Sequence, residues 1–361
     1  MDAVVRRYGG LGGAEELLSR SPRPFSAASL VATESGDRVL VKRHHKLVRD
    51  RAGLLEEHRL MAHLAEANWG GGRPLVAGPL AAMDGLTVVE QGEWVYEVFA
   101  PAAGVDVYEA ALSWTPFLSV AHARVAGRAL GRLHRAVAGY DAAARGRRQL
   151  VTSFTVFAGG EPELAMEAYL AGRPRLRSYV EARDWRRDFA GLLMPFYAEL
   201  EPWLGELEPL WTHNDFHASN LMWSGAGPDA DVTGMIDFGL ADRTNAVHDL
   251  ATAIERNCVE WLRIGESGVI HLDQVDALLA GYEDVRPLRD GERRALVAML
   301  PLVHCEFALS ETDYFLSVLD SEEKARLAYE GYFLGHAAWF RGAEGRGLLE
   351  HLGNWATGVT G

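Results

Sequence analysis

The segment from Trp211 to Gly239 constrains the fold of this chain more than any other, because one acidic residue precedes a short hairpin in the sequence and another follows it. A β-prone run ends at Trp223, a turn rich in Gly, Pro and Asp follows, and a second β-prone run ends at Ile236. Strands paired in this way bring the loop that carries Asp215 next to Asp237. We therefore expect two acids to converge at one end of the hairpin.

The residues at that end have the chemistry of a metal-assisted phosphoryl transfer site. Asp215 is followed five residues later by Asn220, and the hairpin then leads to Asp237-Phe-Gly. Carboxylate and amide oxygens are hard ligands that suit Mg²⁺. In kinases, the first acid of this pattern orients the attacking hydroxyl and accepts its proton, and the amide and the second acid hold the metals. We predict a catalytic role for Asp215 and metal binding by Asn220 and Asp237.

The first hundred residues contain several strands and one helix. A β-branched strand ends at Lys42, an amphipathic helix begins near Arg51, and a hairpin with Gly92 at its turn ends at Phe99. The Ala- and Pro-rich stretch 100–104 then breaks the pattern.

Beyond this break the chain is mostly helical, beginning with a long amphipathic helix between residues 115 and 139. The pattern predicts an α+β fold. Residues 1–100 form a small antiparallel-sheet lobe with one helix, and residues 101–361 form a large, mostly helical lobe. The second lobe contains the catalytic loop, 211–239, and the helices that bind the acceptor.

Charge and composition exclude several classes of protein. The formal net charge of the 361 residues is −14, which disfavours nonspecific binding to the phosphate backbone of nucleic acid. Two cysteines are too few for a disulfide framework, and no apolar run is long enough for a signal peptide or a membrane span. These features predict a cytoplasmic protein without a nucleic-acid or membrane partner.

The motifs His213–Asn220 and Ile236–Gly239 strongly resemble those of the aminoglycoside phosphotransferase and choline kinase-like family of small-molecule kinases. The resemblance extends over nearly the whole chain. It implies a bilobal protein kinase-like fold, with ATP and Mg²⁺ as cofactors.

The same resemblance implies roles for residues of the first lobe. Lys42 contacts the α- and β-phosphates of ATP, and Glu57 on the amphipathic helix holds that lysine in place. Glu57 is preferred to Glu56 because it shares the apolar face of the helix. Residues Glu97 to Phe99 match the hinge whose backbone binds adenine. The stretch 22–30 lacks the glycine that the family usually has near the phosphates, so that part of the ATP site is unassigned.

Three further polar residues belong to the same pattern. His213 is predicted to be a catalytic residue together with Asp215, although its counterpart in the family braces the catalytic loop rather than taking protons. His217 points toward the phosphate or the substrate, or makes a hydrogen bond within the loop. Asp249 caps a helix, or ties the catalytic loop to that helix as it does in the family.

The acceptor is expected to be a small molecule. Only 11 residues separate Asp237 from Asp249, too few for a long activation loop, and no Ala-Pro-Glu motif follows. Late in the chain, Glu306 and Asp313 lie among aromatic residues and are candidates for acceptor binding, although a solvated acidic face would produce the same pattern.

We therefore predict transfer of the γ-phosphate of ATP to a hydroxyl of an amino sugar, an aminoglycoside-like antibiotic, or a related sugar or amino alcohol. The acidic excess favours a cationic acceptor. Two alternatives are a metal-dependent phosphohydrolase that uses His213, His217, His248 and Asp249, and a catalytically inactive nucleotide-binding protein.

Overall fold

A computed structural model describes residues 1–23, 25–67, 69, 72–111 and 114–358. Part of the glycine-free stretch 22–30, namely Pro24, falls outside these described residues. On either side of it, Arg23 and Ser26 pair in an antiparallel ladder.

The N-terminal part is built on an antiparallel sheet with the strand order β1-β2-β3-β5-β4. Its strands are β1 (Ala14–Arg23), β2 (Ser26–Thr33), β3 (Arg38–His45), β4 (Val89–Gln91) and β5 (Trp94–Phe99). Burial alternates along β2, as expected for a strand with one face on the core.

Two helices accompany this sheet, the short α1 (Asp2–Val5) and the longer α2 (Arg51–Glu66). The Asp50 side chain caps α2 by accepting a hydrogen bond from Gly53 N at 2.7 Å. One face of α2 is buried, and Leu54 and Leu64 on that face are fully enclosed. The amphipathic pattern after Arg51 is therefore a helix, as predicted.

The rest of the chain is mostly helical. Its helices are α3 (Val120–Ala136), α4 (Pro162–Ala171), α5 (Pro174–Glu181), α6 (Trp185–Asp188), α7 (Met194–Leu200), α8 (Ala246–Cys258), α9 (Leu272–Glu283), α10 (Asp290–Met299), α11 (Cys305–Ser317), α12 (Glu322–Arg326), α13 (Gly335–Trp339) and α14 (Ala343–Thr357). Two strand pairs interrupt them: β6 (Pro209–Thr212) with β9 (Asp242–Asn245), and β7 (Leu221–Trp223) with β8 (Val232–Met235).

Helices α3 and α9 form the centre of the helical part and approach each other closely at two glycines. A Cβ atom on Gly127 would overlap the Leu278 carbonyl, and one on Gly281 would overlap the Arg124 carbonyl. Glycine lets the two backbones touch where a larger residue would separate them.

The predicted fold class is confirmed: a small antiparallel sheet with one long helix precedes a mostly helical part. The lobe boundary at residue 100 stays a prediction. The last strand of the sheet ends at Phe99, and Val105 then exchanges backbone hydrogen bonds of 2.7 and 2.9 Å with Trp223. Among the described residues, no helix has the length and apolar character needed to cross a bilayer.

Candidate active site

The β7–β8 hairpin brings Asn220 and Asp237 to the same end, as its sequence predicts. Leu221 pairs with Met235, and Ile236 N donates to the main-chain oxygen of Asn220 at 3.0 Å. Asn220 Nδ2 donates to the main-chain oxygen of Asp215 at 2.9 Å and lies 3.3 Å from its Oδ2. Both of these contacts are made by the amide nitrogen of Asn220, and its amide oxygen takes part in neither.

Asp215 is surrounded by positive charge. Arg256 Nη2 lies 3.5 Å from its Oδ1, and His217 Nε2 lies 3.7 Å from its Oδ2. Burial alone would raise the pKa of Asp215, but the neighbouring His217 and Arg256 outweigh it and hold that pKa below its ordinary value. The carboxylate is therefore ionised at neutral pH.

Asp237, in the helical part of the chain, forms an ion pair with Lys42 of the N-terminal sheet. Lys42 Nζ lies 3.4 Å from Asp237 Oδ1, and about half of the aspartate side chain is exposed. Burial would lower the pKa of Lys42, but Asp237 and Glu97 outweigh it and raise that pKa. The Asp237 backbone has φ 63° and ψ 67°, a left-handed conformation that costs a non-glycine residue about 1–3 kcal/mol. Such strain is typical of functional turns.

Glu57 does not pair with Lys42, which corrects the role implied by the family resemblance. Its carboxylate instead accepts hydrogen bonds from Arg49 and, at 2.9 Å, from Arg145 Nη2. Both guanidinium groups also donate to the carbonyl of Gly239, at 2.9 and 3.2 Å. Glu57 is buried, as predicted, and it ties α2 to the turn after Asp237 rather than to the strand lysine.

Arg145 is a site residue that the sequence analysis missed. Its side chain is fully buried, and its backbone nitrogen donates to Asp242 Oδ1 at 2.7 Å. It also donates to the carbonyls of Gly53 and Ala241. Arg145 lies in an irregular segment with several other arginines, so no local pattern distinguishes it.

Glu97 lies within the sheet rather than at a hinge, and this corrects a second prediction. It pairs with Lys42 in the β3–β5 ladder, and its buried carboxylate lies 2.7 Å from His58 Nε2 and 3.2 Å from His44 Nε2. Burial would raise the pKa of Glu97, but the two histidines and Lys42 lower it well below its ordinary value. Phe99 ends the strand, and adenine contact next to it stays a prediction.

His213 braces the catalytic loop and does not carry protons. Its Nε2 lies 3.0 Å from the Ile236 carbonyl, and its Nδ1 lies 3.3 Å from Asp215 N. One tautomer, with the proton on Nε2, satisfies both contacts, so neither ring nitrogen is available for a reacting group. The catalytic assignment of His213 is corrected to a positioning role.

Asp249 ties the catalytic loop to α8 and α3. Its two carboxylate oxygens accept hydrogen bonds from His213 N at 2.9 Å and Asn214 N at 2.8 Å, and His134 Nε2 lies 3.0 Å from Oδ2. This is the tie that the family resemblance implies.

His217 makes its contacts within the loop. Its Nδ1 lies 2.7 Å from Ser219 Oγ, and its Nε2 lies 3.1 Å from Asn220 Nδ2. The phosphohydrolase alternative would need this ring, His213, His248 and Asp249 around one metal. Among the described residues these four do not form such a cluster, because Asp249 is bound to backbone amides and His213 to the loop.

Glu306 and Asp313 were predicted to bind the acceptor, but both carboxylates are used inside the protein. Glu306 accepts hydrogen bonds from Ser153 Oγ at 2.6 Å and Val156 N at 2.7 Å, as well as two from Thr155. Asp313 accepts from Gln149 Nε2 at 3.0 Å and Ser317 Oγ at 2.8 Å. Both acids hold the segment 149–156 against α11, and for Glu306, whose carboxylate is fully used in this way, the acceptor assignment is corrected. Asp313 also lines an open cavity of about 300 Å³ with Gln149 and Arg173, so its role in acceptor binding stays a prediction.

A narrow cavity lies beside Asp215 and was not anticipated from the sequence. Its lining residues are Thr152, Asn214, Thr252, Glu255, Arg256, Val303, His304 and Phe307. The Arg256 guanidinium lies over the rings of Trp114, at 5.3 Å, and Phe307, at 5.0 Å. The cavity has a volume of about 10 Å³, room for about one water molecule, and its walls carry a cation, an acid and an aromatic ring close to Asp215.

Comparison with known proteins agrees with this geometry. The model of the phosphotransferase enzyme family matches residues 24–294. A homoserine kinase of Methylobacterium radiotolerans is 30% identical over 204 residues, which are 56% of this chain and 53% of that protein. A homoserine kinase of Janthinobacterium sp. is 25% identical over 281 residues, which are 73% of this chain and 70% of that protein. The chain thus spans about half the length of the first of these relatives.

Solved structures show the same fold at low sequence identity. An amicoumacin kinase in complex with AMP-PNP and Ca²⁺ has a TM-score of 0.57 at 15% identity, covering 88% of this chain and 87% of that one. An aminoglycoside phosphotransferase from Alicyclobacillus acidocaldarius has a TM-score of 0.54 at 16% identity, covering 99% and 96%. With the family match extending from the first hairpin of the sheet to α10, the chain belongs to the phosphotransferase enzyme family.

Proposed function

We propose that this protein transfers the γ-phosphoryl group of ATP to a hydroxyl of a small molecule, with Mg²⁺ as the metal. The observation that carries the proposal is the assembly of four groups at one end of the β7–β8 hairpin: Lys42, Asp215, Asn220 and Asp237. An amide oxygen and a half-exposed carboxylate are suitable Mg²⁺ ligands, and Lys42 adds a fixed positive charge.

Each group has a distinct task in this reaction. Asp215 is ionised, so it can orient the acceptor hydroxyl and take its proton as the oxygen attacks. Asn220 and Asp237 would hold the metal, and Lys42 would contact the phosphates. When bound, Mg²⁺-ATP supplies the phosphoryl group and neutralises the charge that develops between its phosphates.

The cavity beside Asp215 has a volume of about 10 Å³, which is room for about one water molecule, so it does not hold the acceptor. The buried side chains near it support an acceptor that carries an amino group. Glu311 Oε2 is buried without a hydrogen-bond partner among the described residues, one helical turn after Phe307. Trp114 and Tyr332 pack together at a ring distance of 5.4 Å. An unpaired carboxylate and aromatic faces suit an ammonium group. Amino alcohols, hydroxylated amino acids such as homoserine and small amino sugars fit this chemistry.

A coupled ADP-release screen tests the proposal. The panel contains homoserine, ethanolamine, hexosamines and aminoglycosides, and we expect Mg²⁺-dependent turnover with at least one of them. With that acceptor, Asp215→Asn should lower kcat about 10²- to 10⁴-fold, because a positioned base contributes this much. The matched control is Asp229→Asn, an exposed acid in the turn of the same hairpin, which should keep wild-type turnover. Near-normal turnover of Asp215→Asn would refute the assignment.

A further inference from the structure

Three buried side chains from distant parts of the chain lie close together next to the cavity beside Asp215, which two of them line. Glu255 lies on α8, His304 directly precedes α11, and His336 lies on α13. One ligand atom of each lies within 4.8 Å of the others, and all three residues are at most 5% exposed. The proposed transfer reaction does not use this cluster.

The polar atoms of the cluster lie close to one another but make only long contacts. Glu255 Oε1 lies 3.5 Å from His304 Nδ1 and 3.3 Å from His336 Nδ1, longer than ordinary N–H···O contacts. Among the described residues, neither Glu255 Oε1 nor His336 Nδ1 has a hydrogen-bond partner. Leaving buried polar atoms unsatisfied costs about 1–3 kcal/mol each, so a missing ion or ligand is a physical explanation for the arrangement.

The spacing can be compared with that expected for two kinds of occupant. Zinc bonds of about 2.0–2.1 Å in a tetrahedral site place neighbouring ligand atoms about 3.3–3.4 Å apart. An ammonium group that donates hydrogen bonds of about 2.9 Å would place its acceptors about 4.7 Å apart. The two separations that involve Glu255, 3.3 and 3.5 Å, agree with the metal, and the ligand atoms of all three residues lie within 4.8 Å of one another.

Two neighbouring side chains restrict the orientation of the cluster, whereas His304 Nε2 has no hydrogen-bond partner among the described residues. The ring of Trp261 stacks on His336 at 3.6 Å with an interplanar angle of 11°, which holds the imidazole plane. Arg256 Nε lies 3.5 Å from Glu255 Oε2, the carboxylate oxygen that faces away from the two histidines. Outer contacts of this kind orient ligands in zinc proteins.

We propose that Glu255, His304 and His336 bind one Zn²⁺ ion, separate from the metal of the transfer site. Two imidazoles and one carboxylate are a ligand set that zinc takes when a fourth position is left open, and Glu255 and His304 both line the cavity. The ion joins α8, α11 and α13 and holds the residue next to Glu255, Arg256, beside Asp215. The site thereby couples the wall of the cavity to the catalytic loop.

Zinc content of the full-length protein tests the site. Wild-type protein is stripped with a chelator, dialysed against Zn²⁺ in the presence of excess Mg²⁺, and analysed by mass spectrometry of the metal. We expect one Zn²⁺ per chain, which Mg²⁺ does not displace. His304→Gln and His336→Gln should each weaken Zn²⁺ binding about 100-fold or more. The matched control is His351→Gln, which removes a surface histidine that pairs with Asp276 and should bind like wild type.

Cobalt provides a measurement that needs no variant. Wild-type protein titrated with Co²⁺ should develop the intense visible absorption of a four-coordinate site with one equivalent, and Zn²⁺ should abolish it. Wild-type protein that binds Zn²⁺ no more tightly than the His304→Gln variant, or that gives only a six-coordinate Co²⁺ spectrum, would overturn the proposal. The proposal would also be overturned if the protein took up no zinc and instead bound ethanolamine in a way that requires Glu255. Phosphotransfer activity does not enter these readouts, so the proposed function can fail without the zinc site failing.

Discussion

Two arginines take the position at which the family resemblance implies a lysine. Arg49 and Arg145 both bind the Glu57 carboxylate, and both donate to the Gly239 carbonyl, two residues after Asp237. Lys42 instead forms an ion pair with Asp237. The acid of α2 is thus tied to the turn after Asp237 through two arginines, and Lys42, the proposed phosphate-binding lysine, is positioned by the carboxylate of Asp237 itself.

Replacing Arg145 should therefore impair metal use as well as stability. In Arg145→Met the buried Glu57 loses one of its two cationic partners, and we expect unfolding to become easier by about 3–5 kcal/mol. The apparent Mg²⁺ requirement for transfer should rise, because the turn that carries Asp237 is less firmly held. Urea unfolding and Mg²⁺ titration of the initial rate measure the two effects.

Two further variants separate positioning from packing. The double variant Arg145→Met with Glu57→Gln should be no more stable than Arg145→Met, because it leaves the Arg49 guanidinium without its carboxylate partner. Arg147→Met removes an exposed guanidinium two residues away, which donates only to the Gly172 carbonyl, and should behave like wild type. An unchanged Mg²⁺ requirement in Arg145→Met would contradict the positioning role.

At the scale of elements, short-range patterns were readable from the sequence and long-range contacts were not. The β7–β8 hairpin was predictable because Asn220 and Asp237 belong to one turn-bounded motif. The Glu57–Arg145 and Lys42–Asp237 contacts join residues 88 and 195 positions apart, and no local periodicity encodes them. The acceptor role predicted for Glu306 was wrong for a related reason, because the backbone amides that its carboxylate binds come from a segment 150 residues earlier.

The contact between α3 and α9 gives a prediction at this scale. Gly127→Ala and Gly281→Ala each place a methyl group against a backbone carbonyl of the other helix, so we expect each to destabilise the protein by about 1–3 kcal/mol. Gly353→Ala is the matched control, since it lies within α14 with open space around it and should stabilise by about 0.5–1 kcal/mol. Urea unfolding midpoints measure all three. Equal effects of Gly127→Ala and Gly353→Ala would show that the helices do not meet at these glycines.

The stability of the whole molecule depends on histidines that are buried in the neutral form. Burial lowers the pKa of His248 to about 4, and the ring lies beside Phe154 with no hydrogen-bond partner for its Nδ1 among the described residues. In the unfolded chain this histidine has a pKa of about 6.5. The unfolded state therefore binds more protons between these two values, and folding stability falls as the pH drops through that window.

His248→Gln should remove part of this acid sensitivity. Between pH 7.5 and pH 4.5 we expect wild-type protein to lose about 2–3 kcal/mol more unfolding free energy than the variant does, from the difference between the two pKa values. Urea unfolding at the two pH values measures the difference. His351→Gln, at the surface, should keep the wild-type pH dependence. A His248→Gln protein with the same acid sensitivity as wild type would contradict the argument.

The connection between the sheet and the helical part limits how the two can move. Val105 is hydrogen-bonded in both directions to Trp223, and the Ala103 carbonyl accepts a hydrogen bond of 2.6 Å from Thr233 Oγ1. The second half of the linker, residues 103–105, thus runs along the β7–β8 hairpin like a short third strand. Of this linker, the stretch between Phe99 and Ala103 is the part without such ties to the hairpin among the described residues. The predicted adenine contacts therefore lie beside the least constrained peptide bonds of the linker.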